Sequence, residues 1–110
     1  MTDYKIVVLT NAVEGRDGEF NDWYNKQIDN LLTIKGFEAA QRFRLAPTQL
    51  SPIVSPYKYL TLYDVETENL QATINETRSR RDAMTMSDTL APERFTYLFQ
   101  PITEVRRRKS

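Results

Sequence analysis

Apolar side chains recur every three or four positions between residues 17 and 36. This spacing predicts an amphipathic helix that begins at Asp17, runs to about Lys35 and stops at Gly36, a residue typical of helix C-termini. The apolar positions are Phe20, Trp23, Tyr24, Ile28, Leu31 and Leu32. Gln27 lies on the same face, and a buried amide must find hydrogen-bond partners. It is therefore either a tie within the core or part of a ligand site.

Four stretches have the pattern of β-strands. Residues 4–10 are rich in β-branched side chains and apolar on both faces, as in a central strand. Residues 37–45 and 57–65 alternate from position to position, which predicts two further strands. Residues 95–105 predict the last strand, with Pro101 indicating a bulge or an edge near its end.

The remaining pattern predicts a second helix and a long connection. Thr67 is a candidate cap for a helix over residues 68–79, whose apolar stripe of Leu70 and Ile74 is thin. Residues 46–56 contain three prolines and predict a long loop. The resulting order, β-α-β-β-α-β, is that of the ferredoxin-like fold, an α+β class in which both helices lie on one face of a four-stranded antiparallel sheet.

By the same alternation, one face of the sheet carries more aromatic rings than a monomer would leave in water. Its expected members are Tyr57, Tyr59, Tyr63, Phe95, Tyr97 and Phe99. We expect this face to lie opposite the helices, because two helices cover only one side of the sheet. A contiguous apolar face usually meets a partner, and a second copy packed sheet to sheet is the symmetric solution. The sequence thus predicts a homodimer.

Length and composition are typical of one domain spanning residues 1–110, with residues 106–110 as a flexible basic tail. Fifteen basic and fifteen acidic residues cancel, so no positive field favours nucleic-acid binding. No apolar run approaches the ~20 residues that span a bilayer, and the N-terminus has the pattern of a strand rather than a signal peptide. We therefore expect no nucleic-acid or membrane partner and a cytoplasmic location.

The residue types that are missing limit the chemistry. The chain has no histidine and no cysteine, which removes the commonest general base and the familiar ligands of zinc, copper and haem. Its three glycines form neither a dinucleotide fingerprint nor a P-loop. We expect no metal and no cofactor. Any catalysis has to use carboxylate, tyrosine, lysine, arginine, hydroxyl or backbone groups.

Short motifs along nearly the whole chain resemble one known superfamily. They are TN-x-x-x-G at residues 10–15, EFNDWY at 19–24, GFEAAQRFRL at 36–45, KYLTLYDVE at 58–66, M-x-x-SD at 84–88 and YLFQPITE at 97–104. Together they are similar to the dimeric α/β-barrel superfamily, and most of all to its EthD-type members. The resemblance implies a homodimer that forms a barrel between two sheets, with a pocket at or near the first helix.

The same resemblance implies a range of chemistries and one departure. Related families include cofactor-independent monooxygenases, lactone isomerases, dehalogenating or decarboxylating lyases and polyketide cyclases. Many such sequences carry a histidine where this chain has Gln27. Glutamine donates and accepts hydrogen bonds but does not exchange protons near neutral pH. The resemblance therefore does not extend to catalysis by a histidine at this position, but it still implies the pocket.

The candidates for ligand contact lie on the first helix and on the strands. Gln27 and Asn11 are expected to orient ligand oxygens, with a core tie and a turn former as their respective alternatives. Trp23 and Tyr24 are expected to wall the pocket while also packing in the core. The remaining candidates are Tyr59 and Tyr97, whose alternative role is packing in the dimer core.

Three residues are candidates for catalysis. Arg42 could stabilise negative charge developing on a carboxylate or enolate, or lie on a solvated strand face. Tyr63 could act as the acid if an adjacent arginine lowers its pKa from ~10, or pack in the dimer core. Asp22 could move the proton, or only serve the positive end of the helix dipole.

These features predict a small-molecule enzyme that works without a cofactor on an apolar or ring-bearing substrate with a carbonyl or carboxylate group. The expected reaction is proton transfer linked to isomerisation, cyclisation or elimination, as in an isomerase, cyclase or lyase. Two alternatives stay open. One is a cofactor-free monooxygenase, in which the substrate carbanion itself reacts with oxygen. The other is a homodimer of the same fold that binds its ligand without turnover.

Overall fold

The computed structural model describes residues 2–84 and 86–109, and its elements follow the predicted order. They are β1 (Thr2–Thr10), α1 (Asp17–Leu31), β2 (Phe37–Arg44), β3 (Tyr59–Thr67), α2 (Leu70–Ala83) and β4 (Phe95–Phe99). The strands form one antiparallel sheet in the order β2-β3-β1-β4. This confirms the predicted ferredoxin-like fold. Met1, Thr85 of the 84–88 motif and Ser110 of the predicted tail lie outside the described residues.

The pairing of β1 with β3 decides which face of β3 lies under the helices. In this register Ile6 is opposite Tyr63, and Thr10 is opposite Tyr59. Because directly opposite side chains share a face, both tyrosines join the buried side chains of β1, and Tyr59 is 6% and Tyr63 3% exposed. The prediction that these two tyrosines lie on the outer face is therefore wrong. Alternation shows which residues of one strand share a face. The pairing register with the neighbouring strand decides whether that face lies under the helices.

Two clusters of buried side chains fasten α1 to the sheet. The larger one consists of Ile6, Val8, Ile34, Phe37, Tyr63 and Val65. The second consists of Phe20, Tyr24 and Tyr59, and Phe20 is completely buried. The Phe20 ring lies 5.5 Å from that of Tyr24 and 5.2 Å from that of Tyr59, between centroids. Such aromatic contacts fix the position of α1 on β3.

The face of the sheet away from the helices, called the outer face below, is aromatic. As predicted, the side chains of Phe95, Tyr97 and Phe99 lie there, 44%, 56% and 56% exposed. The Tyr57 ring packs edge-on against Phe95, with 5.4 Å between centroids. Phe43 of β2, 38% exposed, extends the apolar surface across the sheet.

A β-bulge between Phe37 and Ala39 changes which residues of β2 face the helices. The extra residue reverses the alternation, so Phe37 faces inward together with Ala40 and Arg42. Strict alternation over residues 37–45 would place Phe37 on the same face as Phe43, and the bulge overturns that part of the predicted pattern.

The ends of α1 and β4 differ from the prediction. α1 ends at Leu31, four residues earlier than expected. The chain then continues in a tight turn, in which the Ile34 N–H donates to the Leu31 carbonyl oxygen at 3.0 Å. This turn buries Ile34 in the core. β4 ends at Phe99, and residues 100–109 form neither helix nor strand.

α2 is shifted toward the C-terminus relative to the prediction. It covers Leu70–Ala83, and its N-terminal cap is Asn69, whose side chain accepts a hydrogen bond from the Ala72 N–H at 3.0 Å. The predicted cap, Thr67, instead accepts at its hydroxyl from Thr73 at 2.8 Å. Neither helix in the described residues combines the length and the apolar character that crossing a membrane requires.

Gly36 connects the end of the α1 turn to β2 in a conformation that favours glycine, with φ at +101°. A Cβ atom at this position would lie 3.1 Å from the backbone carbonyl oxygen of Glu66. We expect Gly36→Ala to lower the free energy of unfolding by about 1–2 kcal/mol, because the left-handed conformation and the close contact both oppose a side chain. Denaturant titration of the purified variant measures this change.

Gly18→Ala is the matched control. Gly18 lies in α1, and no atom lies within 4 Å of the position its Cβ would occupy. Alanine there should leave stability unchanged or raise it by up to about 1 kcal/mol. Equal stability of the two variants would contradict the strain at Gly36.

Candidate functional site

A cavity of about 360 Å³ lies between the inner face of the sheet and the two helices. Its floor includes aliphatic side chains of the strands, among them Ile6 and Val8. Trp23, Tyr24 and Gln27 of α1 form one wall. The predicted pocket beside the first helix therefore coincides with a real hollow in the fold.

The cavity exists because α2 does not seal against the sheet. None of its residues is buried. Its inward positions combine Leu70 and Ile74 with the short, polar side chains of Thr73 and Thr77. Close packing needs larger apolar groups to fill such a gap. The thin apolar stripe seen in the sequence is thus the physical cause of the hollow.

Two polar atoms at this cavity lack a hydrogen-bond partner within the described chain. They are the Thr10 hydroxyl oxygen and the Gln27 amide oxygen Oε1, both buried and both in side chains that line the cavity. Thr10 is only 1% exposed. Leaving such a group unpaired costs about 1–3 kcal/mol. A ligand with complementary polar groups would remove that cost.

Arg42 lies beneath the aromatic cluster rather than in the cavity. Its guanidinium carbon is 4.6 Å from the Tyr24 ring centroid, and the group donates to Asn21 Oδ1 at 2.9 Å and Asn25 Oδ1 at 3.0 Å. Burial lowers the pKa of Arg42, but a guanidinium stays protonated in proteins. These contacts tie α1 to β2, and Arg42 is not among the residues that line the cavity.

Tyr63 lines the cavity floor as a neutral hydroxyl. Burial raises its pKa above the ordinary value, and the neighbouring Tyr24, which shares a side-chain hydrogen bond with it, raises it further. The positive charge of Arg42 acts in the opposite direction but is outweighed. The role of Tyr63 as an acid requires an arginine that lowers the pKa of its hydroxyl. This condition is not met at Tyr63.

Asn11 and Tyr59 serve the framework around the site. Asn11 Nδ2 donates to the Pro56 carbonyl oxygen at 2.7 Å, and its Oδ1 accepts from the Lys58 N–H at 2.8 Å, which fastens the end of the long loop. The Tyr59 hydroxyl donates to Asp17 Oδ2 at 2.5 Å. That bond, together with the Lys58 ammonium, lowers the pKa of Asp17.

The structure brings some of the predicted site residues together and leaves others elsewhere. Those at the cavity are Trp23, Tyr24, Gln27 and Tyr63. Tyr97 lies on the outer face. Asp22 is an exposed residue of α1 that does not line the cavity.

The lining residues that were not predicted as site residues include Thr10, Arg78, Arg81 and Arg94. Arg78 and Arg81 follow Ile74 at the spacing of one helix face, so extending the apolar stripe of α2 would have identified them. Thr10 and Arg94 carry no comparable signal, because their position depends on how the strands pair.

The cavity lining has a restricted set of ionisable groups. Among its described residues are tyrosines and arginines, but no aspartate, glutamate, lysine, histidine or cysteine. In the described part of the chain, no group of three or more histidine, cysteine, aspartate or glutamate side chains is arranged to hold a metal ion. The described lining therefore presents neither a carboxylate nor an imidazole base to a molecule bound here.

No protein-family model and no curated protein matches the sequence. Solved structures match in three dimensions. SnoaB, a cofactor-independent oxygenase from Streptomyces nogalater, matches with a TM-score of 0.66 and 11% identity over 97% of this chain and 100% of that chain. MhuD, a haem degrader from Mycobacterium tuberculosis with two haems bound in its active site, matches with a TM-score of 0.67 and 14% identity over 94% and 99%.

A dimeric ferredoxin-like protein from Thermobifida fusca also matches, with a TM-score of 0.62 and 10% identity over 91% of this chain and 92% of that chain. The fold is further shared with antibiotic biosynthesis monooxygenase and DABB family structures. At these identities the similarity establishes the ferredoxin-like fold alone.

Removing the Thr10 hydroxyl tests whether the ligand-free protein leaves this group without a hydrogen-bond partner. Valine has nearly the same shape but no polar atom, so Thr10→Val should raise the free energy of unfolding of the ligand-free protein by about 1 kcal/mol. Calorimetric unfolding measures the change.

Thr89→Val is the matched control, because Thr89 is 2% exposed and its hydroxyl lies 2.5 Å from that of Ser87. Loss of this hydrogen bond should cost about 1 kcal/mol. If Thr10→Val destabilises the protein as much as Thr89→Val, the Thr10 hydroxyl is satisfied within the fold.

Proposed function

We propose that this protein is a cofactor-independent enzyme that oxygenates an apolar, ring-bearing small molecule with molecular oxygen. One observation carries the proposal. Thr10 and Gln27, whose Oγ1 and Oε1 atoms are buried and unpaired, line an apolar cavity without a carboxylate or an imidazole among its described lining residues. Such a cavity can select and orient a ring with a polar substituent, but it offers no strong base. The reactivity then has to reside in the substrate.

The two unpaired atoms define which polar groups the substrate has to carry. An amide oxygen only accepts hydrogen bonds, so Gln27 Oε1 requires a donor such as a ring hydroxyl. The Thr10 hydroxyl both donates and accepts, which suits an oxygen on the same ring system. Trp23 and Tyr24, whose rings meet edge-on at 5.8 Å between centroids, supply two nearly perpendicular aromatic surfaces against which the ring can pack.

A phenol or enol with these features can react without a protein base. Its hydroxyl proton passes to water, the resulting anion accepts a hydrogen bond from the Thr10 hydroxyl, and charge is delocalised onto a ring carbon that bears a hydrogen. That carbon transfers an electron to oxygen and forms a C–O bond, giving a peroxide. Loss of water breaks the O–O bond, so that one oxygen atom stays in the quinone or ketone product and the other leaves as water. The substrate is the reductant.

Proton-transfer chemistry of the isomerase, cyclase or lyase kind receives less support from the site. It requires a group that takes up and releases a proton near neutral pH. Tyr63 has a raised pKa, Asp22 is exposed on the surface of α1, and Arg42 stays protonated beneath the aromatic cluster. The second candidate function is therefore ligand binding without turnover, which the same lack of a base favours.

The similar structures are consistent with an oxygenase, but they do not distinguish it from the other candidate functions. SnoaB is a cofactor-independent oxygenase of the same fold. MhuD binds haem, whereas this chain has no histidine or cysteine to ligate haem iron, so haem is not part of the proposal. Within the superfamily, we assign the chain to the EthD-type members on the motifs of residues 19–44.

The active form in this proposal is a homodimer built sheet to sheet through the outer face. Phe43, Phe95, Tyr97 and Phe99 leave more than a third of each side chain exposed on that face. A contiguous aromatic surface of this kind favours association, and a C₂ pair is the commonest way to cover it. The dimeric protein from Thermobifida fusca shares the fold.

A charge on the outer face should dissociate this dimer. We expect the wild-type chain to show twice the 12.9 kDa mass of one chain by light scattering, and Tyr97→Glu to show the single mass. Leu32→Glu is the control, since Leu32 is 37% exposed at the end of α1, in the helix layer. A wild-type monomer, or dissociation by Leu32→Glu alone, would overturn the sheet-to-sheet arrangement.

Oxygen uptake with polycyclic phenols, beginning with naphthols, tests the reaction. We expect metal-independent uptake of one oxygen molecule per substrate, with one labelled atom in the product. Gln27→Ala should lower kcat/KM by about tenfold, because one hydrogen bond to the substrate is lost. Gln71→Ala, on the exposed surface of α2, is the control and should have no effect.

Three other outcomes decide between the alternatives. Product formation without oxygen uptake would assign the site to proton-transfer chemistry. Binding that depends on Gln27 but never leads to product would support the non-catalytic role. If Gln27→Ala changes only thermal stability, Gln27 is a core tie and the proposed site is wrong.

A further inference from the structure

The inward face of α2 changes from apolar to cationic along its length. Its cavity-lining residues, in order, are Leu70, Thr73, Ile74, Thr77, Arg78 and Arg81. Arg94, from the segment that precedes β4, lines the same cavity. The hollow therefore has aliphatic and aromatic walls at one side and three exposed arginines among its lining residues at another.

These three arginines are exposed at the rim of the cavity, and no described residue pairs with them. In residues 2–84 and 86–109, none of Arg78, Arg81 and Arg94 forms an ion pair or a side-chain hydrogen bond, and no acidic residue of that part of the chain lines the cavity. Arg80 provides the contrast. It pairs with Glu76 at 3.5 Å and donates to the Thr33 hydroxyl, so it binds α2 to the end of α1.

The helix dipole does not explain this arrangement. A cation in the last turn of a helix stabilises the negative end of the dipole, and Arg81 occupies such a position. Arg78 lies before the last turn, and Arg94 is not part of a helix. The shared feature of the three is the cavity that they line.

We propose that the ligand of this cavity carries an anionic group, a carboxylate or a chemically similar oxyanion, bound by Arg78, Arg81 and Arg94. The inference rests on the proposed function, in that the cavity is the ligand site. Guanidinium groups bind such oxyanions with two parallel hydrogen bonds. The ring system then extends toward Trp23, and its hydroxyl toward Thr10 and Gln27. The preferred substrate is thereby an aromatic acid with a ring hydroxyl, which binds more tightly than a neutral phenol of the same ring system.

A pair of fluorescent probes separates the anionic group from the ring. The compound 8-anilino-1-naphthalenesulfonate carries a sulfonate, whereas N-phenyl-1-naphthylamine has the same rings and no charge. We expect replacement of the three arginines by glutamine to weaken sulfonate-probe binding by at least about tenfold and to leave the neutral probe within about twofold. Raising the salt concentration to about 0.5 M should weaken only the sulfonate probe.

Three variants make the result specific. Replacing the three arginines by lysine should restore part of the sulfonate affinity, because the charge returns without the forked geometry. Arg107→Gln removes one exposed charge from the basic tail and should leave both probes unaffected. Thr77→Trp fills the cavity from α2 and should abolish binding of both probes. Circular dichroism and thermal unfolding verify that each variant is folded.

The outcomes distinguish this inference from the function it rests on. If the neutral probe binds and is blocked by Thr77→Trp, but the glutamine variant retains full sulfonate affinity, the anion site is wrong and the cavity stands. Equal weakening of both probes in a folded glutamine variant would also overturn it, since the arginines would then act on the shape of the cavity. If Thr77→Trp blocks neither probe, the ligand site itself is misplaced. Arginine-dependent binding without oxygen uptake by any aromatic hydroxy acid would support the anion site and overturn the oxygenase.

Discussion

The packing of α1 on β2 and β3 is the contact on which the site depends. Phe20 is completely buried there, and the Arg42 guanidinium lies over the Tyr24 ring while it holds two asparagines of α1. A cation between aromatic rings, with both of its terminal amino groups hydrogen-bonded to the helix, orients that helix more narrowly than apolar contact alone. Because α1 is fixed in this way, Trp23 and Gln27 project into the space beside the sheet.

The two helices cover the same face of the sheet, but only α1 buries side chains against it. α1 has enough aromatic surface to seal its half, whereas α2 has short threonines and no buried residue. A well-packed domain would lose its cavity here, since close packing leaves few voids. The weaker packing of α2 therefore leaves the hollow open, and the helix also carries Arg78 and Arg81, two of the three arginines that line it.

The chemistry of the hollow follows from what its lining can ionise. The described lining holds tyrosines and arginines, and burial raises the pKa of Tyr63. Such groups stabilise an anion once it is formed, by hydrogen bonds and positive charge, but they do not withdraw a proton near neutral pH. A substrate that ionises readily, and that carries a second acidic group for the arginines, fits these properties. Position 27 holds a glutamine where many similar sequences carry a histidine. This is consistent with a reaction whose reactivity comes largely from the substrate.

The sequence by itself determined the order of the elements, the amphipathic character of α1, the thin stripe of α2 and the position of Gln27 on the apolar face. These features are local, because hydrophobic spacing repeats with the period of each element. Only the tertiary structure decided that Tyr59 and Tyr63 lie under α1, that the bulge turns Phe37 inward, and that Thr10 and Arg94 meet at one cavity. Strand register and the gap beneath α2 bring together residues far apart in the chain. Alternation within a single strand carries no information about either.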